Sequence, residues 1–349
     1  MSSLTIAIPT YNRNEKLLIN LKKILPQITT QKIIIVDNCS DIALEESLGK
    51  IIKQYKNISI KVYRNKTNIG IAANFLRCFE YCETEWMWLL SDDDTVCDNA
   101  VEIIERDTRN YFDYTFLNYL SSMVESGITY AEVFPIGFPF SSENQLKTHV
   151  NYRKENFSTT GVKELIDGID SFVNFIFVSS GVYNIRKVLP HLRIGYIYAY
   201  SLAPHLATVF ASVGKEGKVL FSVDKLVWFE PPSSKDTWAR LTFSQVITLL
   251  LEVPLDLDDK AFEILFHKIN HWFMTDDELF HEVNITYKDS NRMKQWLYVQ
   301  LISRTMFKKR TWKQRVKIAL NIIKLFRPKY NTSYKDDIIL YGKPPLQRI

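Results

Sequence analysis

The first 110 residues alternate short apolar runs with stretches whose apolar positions recur at helical spacing. Leu4-Thr5-Ile6-Ala7-Ile8 reads as a strand ended by Pro9, and Arg13 to Leu25 as a helix through Leu17, Leu21, Ile24 and Leu25. Lys32 to Val36 is a continuous apolar strand stopping at Asp37. Leu44 to Tyr55 sets Leu44, Leu48, Ile51 and Ile52 on one helical face. Ile58 to Tyr63 alternates as a strand, Ile71 to Cys82 is helical, Trp86 to Leu90 is a strand, and Asn99 to Arg106 is helical. This order predicts an α/β fold with a Rossmann-like, doubly wound, mostly parallel sheet. Ligands of such sheets bind at the carboxyl ends of the strands. Pro9-Thr10-Tyr11-Asn12, Asp37-Asn38 and Asp92-Asp93-Asp94 all fall on that edge.

Residues 111 to 235 are less regular, with strands, loops and several glycines. Lys218 to Phe229 reads as one or two strands running into Pro231-Pro232. From Trp238 the pattern is helical to about Leu325, and a polar, proline-containing tail follows from Pro328 to Ile349. No internal repeat or low-complexity segment is present.

Composition narrows the class little. With 46% hydrophobic and 24% charged residues in 349, the chain is of ordinary globular make-up and long enough to bury a sizeable core. Aromatics at 13% lean weakly toward a sugar-binding or interface surface. The four cysteines, Cys39, Cys78, Cys82 and Cys97, form neither a disulfide framework nor a zinc ligand set, so reduced thiols are expected. His267 and His271 are four apart, but Lys268 stands where a zinc-protease motif has glutamate, and a structural role is expected. The N-terminus shows no basic segment followed by an apolar core. The longest apolar stretch, Phe172 to Val178, is broken by Asn174, so a cytoplasmic, soluble or peripheral protein is expected.

The chemistry concentrates in Ser91-Asp92-Asp93-Asp94, which ends the apolar run Trp86 to Leu90. Three consecutive carboxylates at the end of a buried strand repel one another and resist leaving water. A hard divalent cation, Mg²⁺ or Mn²⁺, removes that cost and is commonly shared with substrate phosphates. The alternative is an acidic turn capping the helix that starts near Asp98. Asp37 likewise reads either as an acceptor for a nucleobase N–H or as a turn or helix-cap residue.

Four stretches in order, Ile8-Pro9-Thr10-Tyr11-Asn12-Arg13, Ile35-Val36-Asp37-Asn38-Cys39-Ser40-Asp41, Asn68-Ile69-Gly70 with Asn74, and Trp88-Leu89-Leu90-Ser91-Asp92-Asp93-Asp94, resemble family 2 glycosyltransferases of the glycosyltransferase-A fold. The resemblance covers about the first 110 residues, with a weaker echo at Ser179-Ser180-Gly181-Val182-Tyr183. The form of the acidic stretch is similar to the O-antigen branch, whose abequosyltransferase-like members add dideoxysugars.

The resemblance implies a nucleotide-diphosphate sugar donor with a pyrimidine base, and Mn²⁺ or Mg²⁺ as cofactor. Pro9, Thr10, Tyr11, Asp37 and Asn38 are then expected at the base, with Tyr11 stacking on it. Arg13 is expected either at the nucleotide or pyrophosphate or as a solvated helix-start residue. Asn68, Gly70 and Asn74 are expected to line the donor pocket, the glycine allowing close backbone approach. The family's Asp-x-Asp falls on Ser91-Asp92-Asp93. It places Asp92 near the ribose and Asp93 as main metal ligand, while Asp94 acts through metal-bound water or caps the next helix.

The family's catalytic base lies in an acidic pair opening a later helix, but the corresponding stretch, Tyr196 to Leu206, contains no acid. His205, Glu230 and Asp236 are the candidate bases, so inversion at the anomeric carbon is expected only by resemblance. Trp228 and Trp238 flank the loop of the latter two and are expected either to stack on sugars or to pack.

The organisation expected is a nucleotide-sugar-binding half (1–110), an acceptor-binding half of the same domain (111–237), and a helical C-terminal region (238–349). Within the last, Arg304 to Lys329 is rich in Lys and Arg and has no acid. Trp312, Val316, Ala319, Leu320, Ile323 and Phe326 form a stripe at helical spacing. Such a helix either meets an anionic membrane surface or packs its stripe on the domain. No nucleic-acid motif accompanies the charge. The resemblance adds a lipid-linked oligosaccharide acceptor at the inner face of the cytoplasmic membrane. The rival readings are a nucleotidylyltransferase, which Pro9-Thr10-Tyr11-Asn12 disfavours by lacking the glycines of a phosphate loop, and a non-catalytic nucleotide- or carbohydrate-binding protein.

Overall fold

The computed structural model describes residues 3–123, 153–169, 175–199 and 204–229, with isolated positions between 253 and 320. The first half runs β1 (Leu4–Thr10), α1 (Asn14–Ile24), β2 (Lys32–Asp37), α2 (Leu44–Gln54), β3 (Ser59–Arg64), α3 (Ile71–Tyr81) and β4 (Trp86–Leu89). There follow β5 (Thr95–Val96), α4 (Ala100–Asn110), β6 (Phe116–Met123), β7 (Phe157–Thr160), α5 (Gly161–Gly168), β8 (Gly181–Asn184), α6 (Ile185–Val188), α7 (Leu192–Ile197), α8 (Pro204–Val213) and β9 (Lys218–Phe229).

The nine strands form one sheet in the order β3-β2-β1-β4-β8-β6-β9-β5, with β7 also on β9. β3, β2, β1 and β4 are mutually parallel. Beyond β4 the sheet is mixed: β8 is antiparallel to both its neighbours, β6 and β9 are parallel, and β5 and β7 run antiparallel to β9. All seven residues of β1 are buried, because helices cover both faces. Ile6, Ile8, Ile33, Ile35, Trp86 and Trp88 pack toward Leu17, Leu21, Leu48 and Ile104 of α1, α2 and α4. Ala7, Val36, Met87 and Leu89 pack toward Phe79, Leu165 and Phe210 of α3, α5 and α8.

Pro9 lies inside β1, one place before its end, rather than beyond it. The backbone of Ala7 faces β4 and accepts from Leu90 N–H, and that of Thr10 faces β2 and accepts from Asn38 N–H. Pro9 is therefore the next residue to face β4. It has no N–H to extend that ladder, so the β1 and β4 chains part at the site.

Two other readings are sharpened. The helix expected near Asp98 begins at Ala100, because a two-residue strand, β5, intervenes and is too short to leave a pattern. Lys218 to Phe229 is one strand of twelve residues whose register against β6 shifts between Asn118 and Ser121. All four cysteines are free. Glu230, Asp236, Trp238, His267, His271, the C-terminal tail and most of the basic segment lie outside the described residues. Trp312, Lys313, Val316 and Leu320 are helical. Among the described residues no helix is long and apolar enough to cross a membrane.

Candidate active site

The loops after β1 and β2 are stapled to each other. Asn12 adopts φ 53°, a left-handed turn conformation that asparagine tolerates better than most residues. Its N–H donates to Ser40 Oγ at 2.9 Å, its Nδ2 donates to Asp41 Oδ2 at 3.0 Å, and Asp41 N–H donates back to Asn12 Oδ1 at 2.8 Å. Tyr11, in the same turn, is 41% exposed.

Asp37 sits at the predicted strand end but does not present a carboxylate to the crevice. It is fully buried. Its Oδ1 accepts from Ser40 N–H (2.9 Å) and Ser40 Oγ (2.6 Å), and its Oδ2 accepts from Arg64, its register partner on β3. In this structure both carboxylate oxygens of Asp37 shape the turn. Asn38 and Asn74 are buried as well. Asn38 Oδ1 accepts from Ile69 N–H (3.0 Å) and Asn65 (3.0 Å), and its Nδ2 donates to Asn68 Oδ1 (2.7 Å). Asn74 donates to Val36 O (2.9 Å) and accepts from Asn65 (2.8 Å). These amides hold the Asn68–Gly70 loop in place from behind, and of this group Asn68 and Gly70 reach the surface. Gly70 is required for its φ of 85°, since a Cβ there would meet open space.

The acidic tetrad divides in two. Asp92 and Asp94 are buried, whereas Ser91 and Asp93 are partly exposed. Asp94 Oδ2 accepts from Ser179 Oγ, and that same Oγ accepts from Ser91 N–H at 2.9 Å. Ser179 is in turn held through its carbonyl by Trp88 Nε1 at 2.9 Å. Burial, followed by the neighbouring Asp93 charge, pushes the Asp94 carboxyl well above the usual range. Asp94 thus anchors the turn through Ser179, and it does not cap α4, whose N-cap is Asn99.

Asp92 and Asp93 face each other across one cation. Arg13 Nη1 lies 3.1 Å from Asp92 Oδ1 and 2.8 Å from Asp93 Oδ2, and Lys16 Nζ lies 3.8 Å from the same Asp93 oxygen. The other oxygen of each carboxylate is fixed by a hydroxyl: Thr10 Oγ1 donates to Asp92 Oδ2 and Ser91 Oγ to Asp93 Oδ1, both at 2.6 Å. Asp92 is pushed up to about 6, chiefly by burial, with Arg13 opposing. Among the described residues no three His, Cys, Asp or Glu side chains are arranged to hold a metal. Two carboxylates converging on one cationic atom do fit a Mg²⁺ or Mn²⁺ site completed by substrate phosphates.

His205 is corrected outright as a base. It is 1% exposed inside α8, its Nε2 lies 3.0 Å from the Ile176 carbonyl, and Phe75 packs edge-on against its ring. No acceptor hydroxyl reaches it there. Pro9 is buried and acts through the backbone, Thr10 acts through Asp92, and Arg13 stands at the crevice. Sequence reasoning missed Lys16, Ser40, Arg64 and Asn65. The spacing of Lys16 three residues after Arg13, and the polar Arg64-Asn65 pair at the end of β3, were the available signals.

The model of glycosyl transferase family 2 matches residues 5–153. That stretch of the chain is similar to glycosyl transferase family 2. Its match extends past the 110 residues that the motifs cover. An uncharacterized glycosyltransferase of Haemophilus influenzae is 29% identical over 132 residues, 36% of this chain and 42% of that protein. Abequosyltransferase RfbV of Salmonella typhimurium is 28% identical over 137 residues, 37% of this chain and 38% of that protein. The match thus spans about two fifths of the length of these relatives. Among solved structures, S. aureus TarS 1–349 superposes with a TM-score of 0.55 at 13% identity, covering 93% of this chain and 90% of that one. The same protein in complex with UDP-GlcNAc gives 0.55 at 12%, covering 93% and 90%. The fold is the glycosyltransferase-A fold.

Proposed function

We propose that the protein is a metal-dependent glycosyltransferase that moves a sugar from a nucleoside diphosphate to a carbohydrate acceptor in bacterial surface polysaccharide synthesis. The observation that carries this is the convergence of Asp92 and Asp93, each pinned by a hydroxyl, at the carboxyl edge of the sheet within the stretch similar to family 2. Mn²⁺ or Mg²⁺ held by Asp92 and Asp93 would supply Lewis-acid neutralisation of the diphosphate leaving group. Tyr11, Asn68 and Gly70 border the base and ribose, with Asp37, Asn38, Asn65 and Asn74 fixing that loop geometry from beneath. Arg13 and Lys16 add positive charge for the diphosphate.

With His205 in the core, the proton acceptor is assigned to a carboxylate after β9. Trp228 pairs with Thr95, the residue following Asp94, and Glu230 comes two positions later in sequence, with Asp236 beyond it. A CDP-dideoxyhexose donor is the finer proposal, supported by the likeness to the abequosyltransferase. A lipid-linked oligosaccharide acceptor at the inner membrane surface is supported by the basic segment 304–329. There Trp312 and Leu320, on one face of the stripe, are 75% and 52% exposed.

Calorimetric titration of CDP, UDP, dTDP and GDP, with and without Mn²⁺, on wild type and Asp93→Ala tests the reading. Manganese-dependent binding of one pyrimidine diphosphate, lost in Asp93→Ala, is expected, and CDP as that nucleotide supports the dideoxysugar. No binding of any nucleotide under either condition refutes the assignment.

A further inference from the structure

The end of the sheet opposite the donor edge carries apolar surface that the proposed reaction does not use. There β4 and β6 begin and β8 ends, side by side in the order β4-β8-β6. The loop before β6 holds three aromatic residues. Tyr111 and Tyr114 pack against each other, ring centroids 5.0 Å apart, whereas Phe112 is 68% exposed. The loop is pinned to the end of β8 and to α6, because Asn184 Nδ2 donates to the Phe112 carbonyl at 3.4 Å and Lys187 Nζ donates to the Asp113 carbonyl. On the other side of β8 a cleft of about 460 Å³ opens between the α3–β4 loop and α6. Cys82, Ile185, Leu189 and Pro190 give it an apolar lining, and Glu85 and Arg186 stand on its wall. Leu189 is 41% exposed. Glu85 and Arg186 are 3.6 Å apart, a loose pair with side chains 34% and 77% exposed.

From this juxtaposition we infer that the end of the sheet under β8 is the contact between two copies of the chain, Phe112 of each filling the cleft of the other. The starts of β4 and β6 are two strand spacings apart, about 10 Å, so ring and cleft flank one point beneath β8. A half-turn about an axis lying across that point exchanges the two sides, and one operation then seats both rings. Charge agrees with the same operation. The cleft side carries Glu85 and Arg186, and the side of the exposed ring carries Lys187 and Asp113. Each Lys187 is brought toward the partner's Glu85, and each Arg186 toward the partner's Asp113, so both signs meet their complement twice. A different protein would need a surface for the ring or for the cleft, whereas a second copy supplies both. The contact covers an exposed aromatic and an apolar cleft that a single copy leaves in water. It also leaves both donor edges open, since they point away from each other at the far ends of the two sheets.

The test is sedimentation equilibrium of the 349-residue chain over micromolar concentrations. Wild type is expected to run as a dimer. Phe112→Ser is expected to weaken that dimer about tenfold or more, the loss of a central aromatic anchor, with the melting temperature of the dissociated chain unaltered because the ring is exposed there. Glu85→Lys and Lys187→Glu are each expected to run as monomers, since each sets like charges against each other at both contacts. Mixing these two variants is expected to recover the dimer, because every contact in the mixed pair is again between unlike charges. That recovery is specific to a half-turn between copies and reads pairing rather than folding. A wild type that stays monomeric throughout overturns the inference, as does a dimer unaffected by Phe112→Ser, or a mixture that fails to recover. Should a variant in the Phe112 loop or in α6 melt early, Leu189→Glu at the mouth of the cleft serves in its place, and a dimer unaffected by it overturns the inference equally.

Discussion

Acidification reads out the placement of His205 without any knowledge of substrate. Burial pushes the imidazole from 6.5 down to about 4, with the Ile176 carbonyl partly opposing, so the native ring is neutral at about pH 5 and above. The unfolded chain takes up a proton near 6.5 that the native state refuses until about 4. Its contribution to stability is therefore complete above the unfolded value and is lost as pH falls through the window between the two. A gap of that width is worth about 3 kcal/mol. His205→Gln isolates it, since the amide can still donate to the Ile176 carbonyl but does not titrate, and all other ionisable groups are common to both proteins. Urea midpoints, with slopes compared, are measured from pH 8 to pH 4. At pH 8 the variant is expected to be about 1 kcal/mol less stable, for its imperfect fit beside Phe75. By pH 4 the order reverses, the variant being about 2 kcal/mol the more stable. Parallel curves for the two proteins would refute the reasoning and return His205 to an environment where it can ionise. The same variant carries a functional corollary: where it stays folded, the pH profile of sugar transfer or donor hydrolysis is expected to match that of wild type, as it cannot for a general base.

Two further outcomes follow from the tetrad. Ser179→Ala removes the hydroxyl shared by Ser91 N–H and Asp94 and orphans both, so a loss of about 3 kcal/mol in urea unfolding is expected, with weaker nucleotide binding because the turn carrying Asp92 and Asp93 loosens. A loss below about 1 kcal/mol would show that Ser179 does not hold the turn. Asp94→Asn keeps the shape and polarity of a carboxyl that burial already discourages from ionising, and is expected to retain nucleotide-dependent Mn²⁺ binding, whereas Asp93→Asn loses it. Equal loss in both would restore Asp94 to the ligand set.

The first half of the fold was legible because both kinds of signal agreed there. Ile-rich runs buried on two faces and helices with a single apolar stripe put every element from β1 to β4 within a residue or two of its observed bounds. β5 was invisible because two residues show no period. The mixed second half was not derivable because antiparallel β8 and parallel β9 have similar apolar runs, and direction is fixed by connections, not composition. At the site, position was legible and orientation was not. Asp37, Asn38 and Asn74 stand at the predicted edge, yet their side chains turn inward because the buried backbone of the loops needs partners that short polar side chains supply. Arg64 completes this layer through its register with Asp37, a cross-strand fact that no local pattern contains.

The tetrad shows why that limit matters for chemistry. Three identical residues in a row offer no internal contrast, so a motif can slide by one position without penalty in sequence, and with it the division of labour slides too. The structure breaks the tie through exposure, which alternates along Ser91, Asp92, Asp93 and Asp94. Asp94 falls against Ser179, which Trp88 holds through its carbonyl, and Asp93 falls toward Arg13 and Lys16. Asp92 has one oxygen on each side of the boundary, toward Thr10 within and Arg13 without. That boundary position explains its carboxyl being pushed up to about 6 while it still faces a cation. An aspartate that burial makes costly to ionise, while the charge of Arg13 opposes that cost, is one whose energetics depend on which cation faces it, and it stands at the point where Pro9 ends the β1–β4 ladder.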